Sequence, residues 1–295
     1  GSYIGIESNS CECLIVDEAH RLNEKSGLYG NKGENQIKEV ISAARCSVFF
    51  IDEDQRVTLK DIGTTDTIKG WVARLDANVT VMRLESQFRC QGSDAYLAWL
   101  DNTLGIRDTA NTTLEGFGYD FRVFDCPSQL RAAIEARNGE NSARLVAGYC
   151  WKWKSKKEPL EWDIEFPEAQ FQARWNLSTD GSLWIVQPNS VREIGCIHTC
   201  QGLEVDYIGV IIGPDLVAQN GRLVTDPSAR AGSDKSVHGW RKLASKDPQG
   251  AAELTDRIIR NTYRTLMTRG TKGCFVYAVD PGVRELLKQA QRPLK

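Results

Sequence analysis

The sequence predicts an α/β fold in two lobes, each built on a parallel sheet. Three observations carry that prediction. Short aliphatic runs alternate with amphipathic stretches along the chain, the order that right-handed β-α-β crossovers produce. Several of the runs are apolar throughout, as strands buried on both faces are. At 295 residues the chain is long for one core and comfortable for two.

The elements follow in order. ECLIV (Glu12–Val16), SVFFI (Ser47–Ile51) and VTVMRL (Val79–Leu84) read as interior strands. Between the first two, Gln36–Arg45 places Ile37, Val40, Ile41 and Ala44 on one helical face, and Gly27–Gly33 reads as a loop. The lobes join around residues 90–95, giving domains 1–95 and 96–295. In the second, Tyr96–Leu104 predicts a helix, Phe121–Phe124 a strand, and Pro127–Asn138 a helix opened by its proline. Ala143–Trp153, Ser182–Val186 and Tyr207–Gly213 read as strands. Ala251–Gly270 then reads as a long helix, Gly273–Val279 as a strand and Pro281–Gln291 as a closing helix. Asn220–Gly250, rich in Gly, Ser, Lys and Asp, is expected to be a mobile loop. No internal repeat or low-complexity segment interrupts the series.

Composition excludes some classes. Hydrophobic and charged fractions of 41% and 26% are those of an ordinary globular protein. No apolar run approaches the ~20 residues that span a bilayer, so no membrane partner is expected. Nine cysteines, an odd number scattered through predicted elements, argue for reduced thiols and a cytoplasmic location. Cys11/Cys13, Cys196/Cys200 and the three histidines lack the spacing of a zinc set. Residues 1–95 carry 11 basic and 15 acidic side chains and the remainder 26 and 24, too even a balance to announce a nucleic-acid surface. Gly1-Ser2 reads as the scar of a cleaved purification tag, with the natural chain beginning upstream.

The chemistry begins at CLIVDEAHRL (Cys13–Leu22). A buried strand delivering two acids suits a magnesium ion on a nucleotide's phosphates. Asp17 would supply the oxygen ligand and Glu18 would orient or deprotonate the attacking water. The plainer reading is an acidic strand-to-helix turn. FFIDEDQRVT repeats the pattern and ends at Gln55, a residue able to touch a γ-phosphate. RLESQFR brings Arg89 after Gln87 and Phe88, IHTCQGLEVDYIGVIIG leads through Gly202 and Glu204 into an apolar strand, and YRTLMTRGTKGCFVYA carries Arg269 at a helix end. WKWKSKK interleaves Trp151 and Trp153 with Lys152 and Lys154. Read as a strand, it is either a stacking-plus-phosphate surface for single-stranded nucleic acid or a sheet edge whose tryptophans pack inward, and the edge reading is the simpler.

Taken in order, these segments resemble motifs II to VI of superfamily 1 helicases, and the variant with DEAHR, SQFRC and YRTLMTRGTKG looks most like the Schlafen-type helicase-like family of bacteria. The likeness covers about residues 11–280. It implies two RecA-like parallel-sheet lobes, a P-loop NTPase helicase core, using ATP and magnesium on nucleic acid, whether DNA or RNA. It further implies Asp17 as magnesium ligand, Glu18 as catalytic base, Gln55 as γ-phosphate sensor, and Arg89 and Arg269 as arginine fingers. Gly202 and Glu204 would meet the nucleotide, and His198 and Thr199, with Trp151 and Lys152, the nucleic-acid track. Ile51, Gln201 and Arg264 depart from the usual glycine, lysine and tyrosine, which bears on strand separation more than on hydrolysis.

One half of such a site is missing from the sequence. No stretch matches the phosphate cradle G-x-x-x-x-G-K-[ST], and too few residues precede the DEAH strand to hold one. The first lobe is therefore expected to be truncated at its N-terminus, with SVFFI and VTVMRL either separated by a gap or closed on each other. The fragment is expected to bind ATP weakly or not at all. Two functions follow: part of a nucleic-acid-dependent ATPase, helicase or translocase, or a helicase-like nucleic-acid-binding or regulatory module that does not unwind.

Overall fold

The computed structural model describes residues 3–26, 32–83, 94–114, 118–176, 181–187, 190–200 and 202–291, without the side chains of 181–183. The chain forms two compact units, Gly1–Leu84 and Glu85–Lys295. The predicted junction at 90–95 falls largely outside the described residues.

In the first unit, β1 (Cys11–Val16) runs parallel to β2 (Ala44–Phe49), with Cys13 opposite Cys46 and Ile15 opposite Val48. The crossover is α1 (Gln36–Ala43), whose N-terminus is capped by Asn35 accepting from the N–H groups of Ile37 and Lys38. A second helix, α2 (Thr65–Arg74), starts from the Thr64 hydroxyl. Ile37 from α1 packs with Ile68 and Val72 from α2, and Phe49 and Ile51 lean on that cluster. The sheet is thus covered on one face. On the other, Ile15 is 69% exposed, with Val48 and Phe50 also in solvent, so these strands are not interior as expected.

The third predicted strand is corrected: residues 79–83 form no strand, and Val79, Val81 and Met82 are exposed. Among the described residues β1 and β2 pair only with each other. An apolar run holds a strand conformation only where a neighbour takes its backbone hydrogen bonds, and none does so among the described residues.

The second unit is built on a five-stranded, all-parallel sheet in the order β3-β11-β8-β4-β7. Its strands are β3 (Asp120–Val123), β4 (Ala143–Ala147), β7 (Ile194–Gly195), β8 (Val205–Ile212) and β11 (Gly270–Ala278). The central β8 lies between β11 and β4. Its residues from Ile208 to Ile212 are buried, the uniform burial its sequence required. The helix α4 (Pro127–Arg137) lies over this sheet, Ile134 reaching Gly209, while the 20-residue α7 (Pro248–Met267) packs on β8 through its own apolar stripe. Around them stand α3 (Asp94–Thr103) and α8 (Pro281–Ala290), the hairpin of β5 (Ile164–Phe166) and β6 (Phe171–Ala173), and the one-turn α5 (Ile197–Cys200).

Three further expectations change. Ala143–Trp153 is strand only to Ala147, because beyond it Trp151 and Trp153 turn onto the core formed by β5 and β6. Ser182–Val186 is a 3-10 helix over Gly181–Val186 whose Trp184 is buried against Gly195. A five-residue apolar run fits either element by pattern, and tertiary contacts decide. Asn220–Gly250 is structured. It supplies the Asn220-Gly221 turn and the second strand, β10 (Arg222–Thr225), of a hairpin begun by β9 (Leu216–Gln219), then α6 (Trp240–Ala244). No described helix is long and apolar enough to cross a membrane.

Candidate functional site

In the first unit the acids sit where β1 ends. Glu18 adopts the left-handed conformation (φ 54°, ψ 42°), which costs a non-glycine residue on the order of 1 kcal/mol. Hydrogen bonds on either side hold it there: Phe50 N–H to the Val16 carbonyl at 2.9 Å, and Ala19 N–H to the Phe50 carbonyl at 2.8 Å. Gly63 closes in from the loop before α2. A Cβ at this glycine would lie 1.9 Å from the Ala19 carbonyl oxygen, so only glycine admits the approach. Asp17 stays exposed at the tip, its Oδ1 accepting the Glu18 N–H at 2.9 Å.

His20 joins the two acid-bearing strand ends. It is 1% exposed, and its Nδ1 accepts the Asp52 N–H at 3.4 Å. In the neutral ring that places the proton on Nε2, which sits 3.0 Å from Glu18 Oε2. Neither atom makes a well-aligned hydrogen bond at that distance, so the contact is electrostatic. Asp52 in turn accepts from Gln55 Nε2 at 2.8 Å and from the Asp54 N–H at 3.1 Å. A continuous run of contacts therefore links Glu18, His20, Asp52 and the buried Gln55. Sequence reasoning found its two ends and missed the middle. The available signal was the histidine closing DEAH.

In the second unit, His198 and Thr199 lie on α5. The Thr199 hydroxyl accepts the Cys196 N–H at 3.0 Å and lies 3.2 Å from Asn176 Oδ1, to which it donates. His198 Nε2 stands 3.3 Å from Asp234 Oδ1, with the ring edge-on to Tyr149. Asp234 belongs to a buried set that sequence reasoning did not find. Arg230 reaches Asp215 through Nε and Asp234 through Nη1, both at 2.8 Å, and all three side chains are buried. The Tyr263 hydroxyl donates to the other oxygen of Asp215. Burial alone would raise the Asp234 carboxyl. The hydrogen bond from His198 and the Arg230 charge outweigh it and hold the group well below the usual carboxylate range. Burial likewise opposes the Arg230 charge, and the two aspartates more than restore it.

Gly202, at φ 78°, turns the chain from α5 into β8. Glu204 is exposed just before that strand. Arg269 follows the end of α7 and donates from Nε to the Thr265 carbonyl at 2.9 Å and from Nη1 to the Leu203 carbonyl at 3.4 Å. The Val205 N–H returns a bond to the Arg269 carbonyl at 3.0 Å. Arg269 is therefore 1% exposed and does not project from its unit as a finger would; its guanidinium fastens the Gly202–Glu204 turn to α7. Arg264 forms an ion pair with Asp101 at 2.5 Å. Arg89, with Gln87 and Phe88, lies outside the described residues. Trp151 packs edge-on against Phe166, Lys152 is exposed, and neither stands on a strand.

The residues fit the groups their pattern suggests. Magnesium keeps most of its waters and takes one or two carboxylates, which the exposed Asp17 at a strand tip can provide. Among the described residues no cluster of three or more Asp, Glu, His or Cys forms a closed metal cage. Beside Glu204 is a cavity of about 540 Å³ at the start of β4 and β8, lined also by Asp206, Thr271 and Asn141. Among the described residues the buried Asn141 Oδ1 has no hydrogen-bond partner.

Comparison with known proteins supports the family resemblance. An uncharacterised protein of Saccharomyces cerevisiae, YPL245W, is 26% identical over 305 aligned positions, covering 94% of this chain. The chain spans 64% of that relative's length. The relative is a yeast protein, so the likeness carries no bacterial origin with it. Residues 2–280 match the family described as Schlafen group 3, DNA/RNA helicase domain. The chain belongs to the Schlafen group 3 helicase-like family.

Proposed function

We propose that this chain is the larger part of a nucleic-acid-dependent ATPase core, with two RecA-like lobes, that hydrolyses ATP with magnesium. The observation that carries the reading is the Glu18–His20–Asp52–Gln55 run, in a chain whose family is a helicase domain. Phosphoryl transfer needs positioned groups and compensating charge more than covalent chemistry. Magnesium, when bound, would neutralise charge developing on the phosphates. Asp17 would hold it, and Glu18, fixed by its backbone turn and by His20, would take the proton of the attacking water. Gln55 would report the γ-phosphate to Asp52. Gly202 and Glu204 would contact a nucleotide, with Arg269 positioning that turn and Arg89 as the candidate finger. His198, Thr199, Trp151 and Lys152 would contact nucleic acid. No stretch of residues 1–295 matches the phosphate-binding loop motif.

A second reading is a binding or regulatory module without hydrolysis, favoured by the buried setting of Arg269. Phosphate release by the full-length gene product, with and without single-stranded nucleic acid, separates the two. Stimulated release that Glu18→Gln abolishes supports the ATPase. Tight nucleic-acid binding indifferent to Glu18→Gln, with no release, supports the module.

A further inference from the structure

We infer that residues 235–246, between the buried Asp234 and the start of α7, form a phosphate-binding arm for single-stranded nucleic acid that extends the track at His198. The inference rests on the proposed nucleic-acid role of His198 and Thr199.

The segment reads KSVHGWRKLASK and holds Lys235, Arg241, Lys242 and Lys246 with no acid, in a chain whose net charge is −2. All four cations are exposed. Among the described residues none of them makes an ion pair. The nearby carboxylates are already engaged. Asp234 is held by Arg230, Asp247 accepts the Gly250 N–H at the start of α7, Glu253 accepts from Gln249, and Asp256 is held by Arg260. Among the described residues the positive charge of this segment is thus not neutralised by a paired carboxylate.

Its shape is fixed. Gly239, at φ 91°, opens α6, and Trp240, Leu243 and Ala244 turn inward while Arg241, Lys242, Ser245 and Lys246 face solvent. Trp240 lines a cavity of about 440 Å³ with Leu223 and Ala252, and the Arg241 guanidinium lies 4.8 Å from its ring centre. The base of the arm is anchored where Asp234 accepts from Ser236 N–H at 2.9 Å and from Arg230. That same carboxylate meets His198 at 3.3 Å. Cations spaced before, along and after a one-turn helix suit a repeating phosphodiester, and Asp234 joins the base of the arm to His198 on α5.

The test is fluorescence anisotropy of labelled dT20 and U20, with a dT20·dA20 duplex as a third arm, titrated with residues 1–295 over a salt series. Arg241→Ala/Lys242→Ala/Lys246→Ala should weaken single-strand binding about tenfold or more and reduce the log Kd–log[salt] slope by about 2, the loss expected for three phosphate contacts. The control Lys25→Ala/Lys69→Ala/Arg83→Ala removes equal charge from exposed sites in the first unit and should change affinity less than threefold. Comparison of dT20 with U20 assigns the sugar. An unchanged triple variant alongside a weakened His198→Ala overturns the arm and leaves the proposed function standing. Equal weakening by the control, or preference for the duplex, also overturns the arm. Absence of single-strand binding by the parent overturns both the arm and the nucleic-acid role of His198.

Discussion

His20 Nε2 lies 3.0 Å from Glu18 Oε2 inside a turn where Glu18 has a left-handed backbone. The histidine is buried and its other nitrogen is taken by the Asp52 N–H. It has no freedom to serve a ligand, so its role in the proposed chemistry is to aim the carboxylate. Replacing it by alanine should lower ATP turnover in the full-length protein about 10–100-fold, the scale of a misplaced catalytic group, with little change in KM for ATP. A denaturation midpoint adds the diagnostic: His20→Ala should lower turnover even at temperatures where the variant remains folded, which a merely destabilising change would not do.

The same turn stores strain, and its removal separates stability from function. Glu18→Gly relieves the left-handed penalty and should raise the stability of the first unit by roughly 0.5–1 kcal/mol while abolishing hydrolysis. Gly63→Ala should act in the opposite direction. Its Cβ would fall 1.9 Å from a backbone oxygen that cannot move aside, costing on the order of 1–3 kcal/mol. Urea denaturation of both variants checks the pair of signs.

In the second unit the buried Arg230 carries two carboxylates. Arg230→Met leaves both without their cation and should cost about 3–5 kcal/mol, the usual result of breaking a buried pair from one side. A loss below 1 kcal/mol, read from denaturant midpoints, contradicts the arrangement.

The pH dependence has a definite sign. Asp234 has a folded pKa below its ordinary value, with burial opposed and outweighed by His198 and Arg230. The folded state therefore binds the proton less readily than the unfolded chain. Its contribution is complete above about pH 4, near the unfolded value, and is lost as pH falls through the lower folded value. Between pH 5 and 3 the parent should lose more stability than Asp234→Asn. Parallel profiles would show that Asp234 is not the group responsible.

The fold was legible where burial is complete on both faces. The run at Tyr207–Gly213 is uniformly apolar because β8 is central, and the helices at Gln36, Pro127 and Pro281 announce themselves by period and by their capping or proline starts. Val79–Leu84 misled because an apolar run specifies a strand only together with its neighbours, and no neighbour follows from the sequence. The Asn220–Gly250 segment looked like a loop because its order comes from Arg230, Asp234 and Ser236. Charged and small polar residues appear solvated until their partners are known. In the candidate site the acids at 17 and 18 could be read from a strand end, whereas His20 and its Asp52 contact span 32 residues and the Arg230 set depends on burial that no motif encodes. The setting of Arg269 was hidden for the same reason: a helix-terminal arginine reads alike whether it projects or folds back onto a carbonyl.

The most direct measurement of the central claim is steady-state phosphate release by the full-length gene product on single-stranded nucleic acid, titrated with magnesium, for the parent, Asp17→Asn and Glu18→Gln. The account predicts that Asp17→Asn raises the magnesium needed for half-maximal rate. It also predicts that Glu18→Gln lowers the rate at saturating magnesium about 10²–10⁴-fold, the range for loss of a general base, with nucleic-acid affinity retained in both. Rates and magnesium dependence equal to the parent in both variants would contradict it.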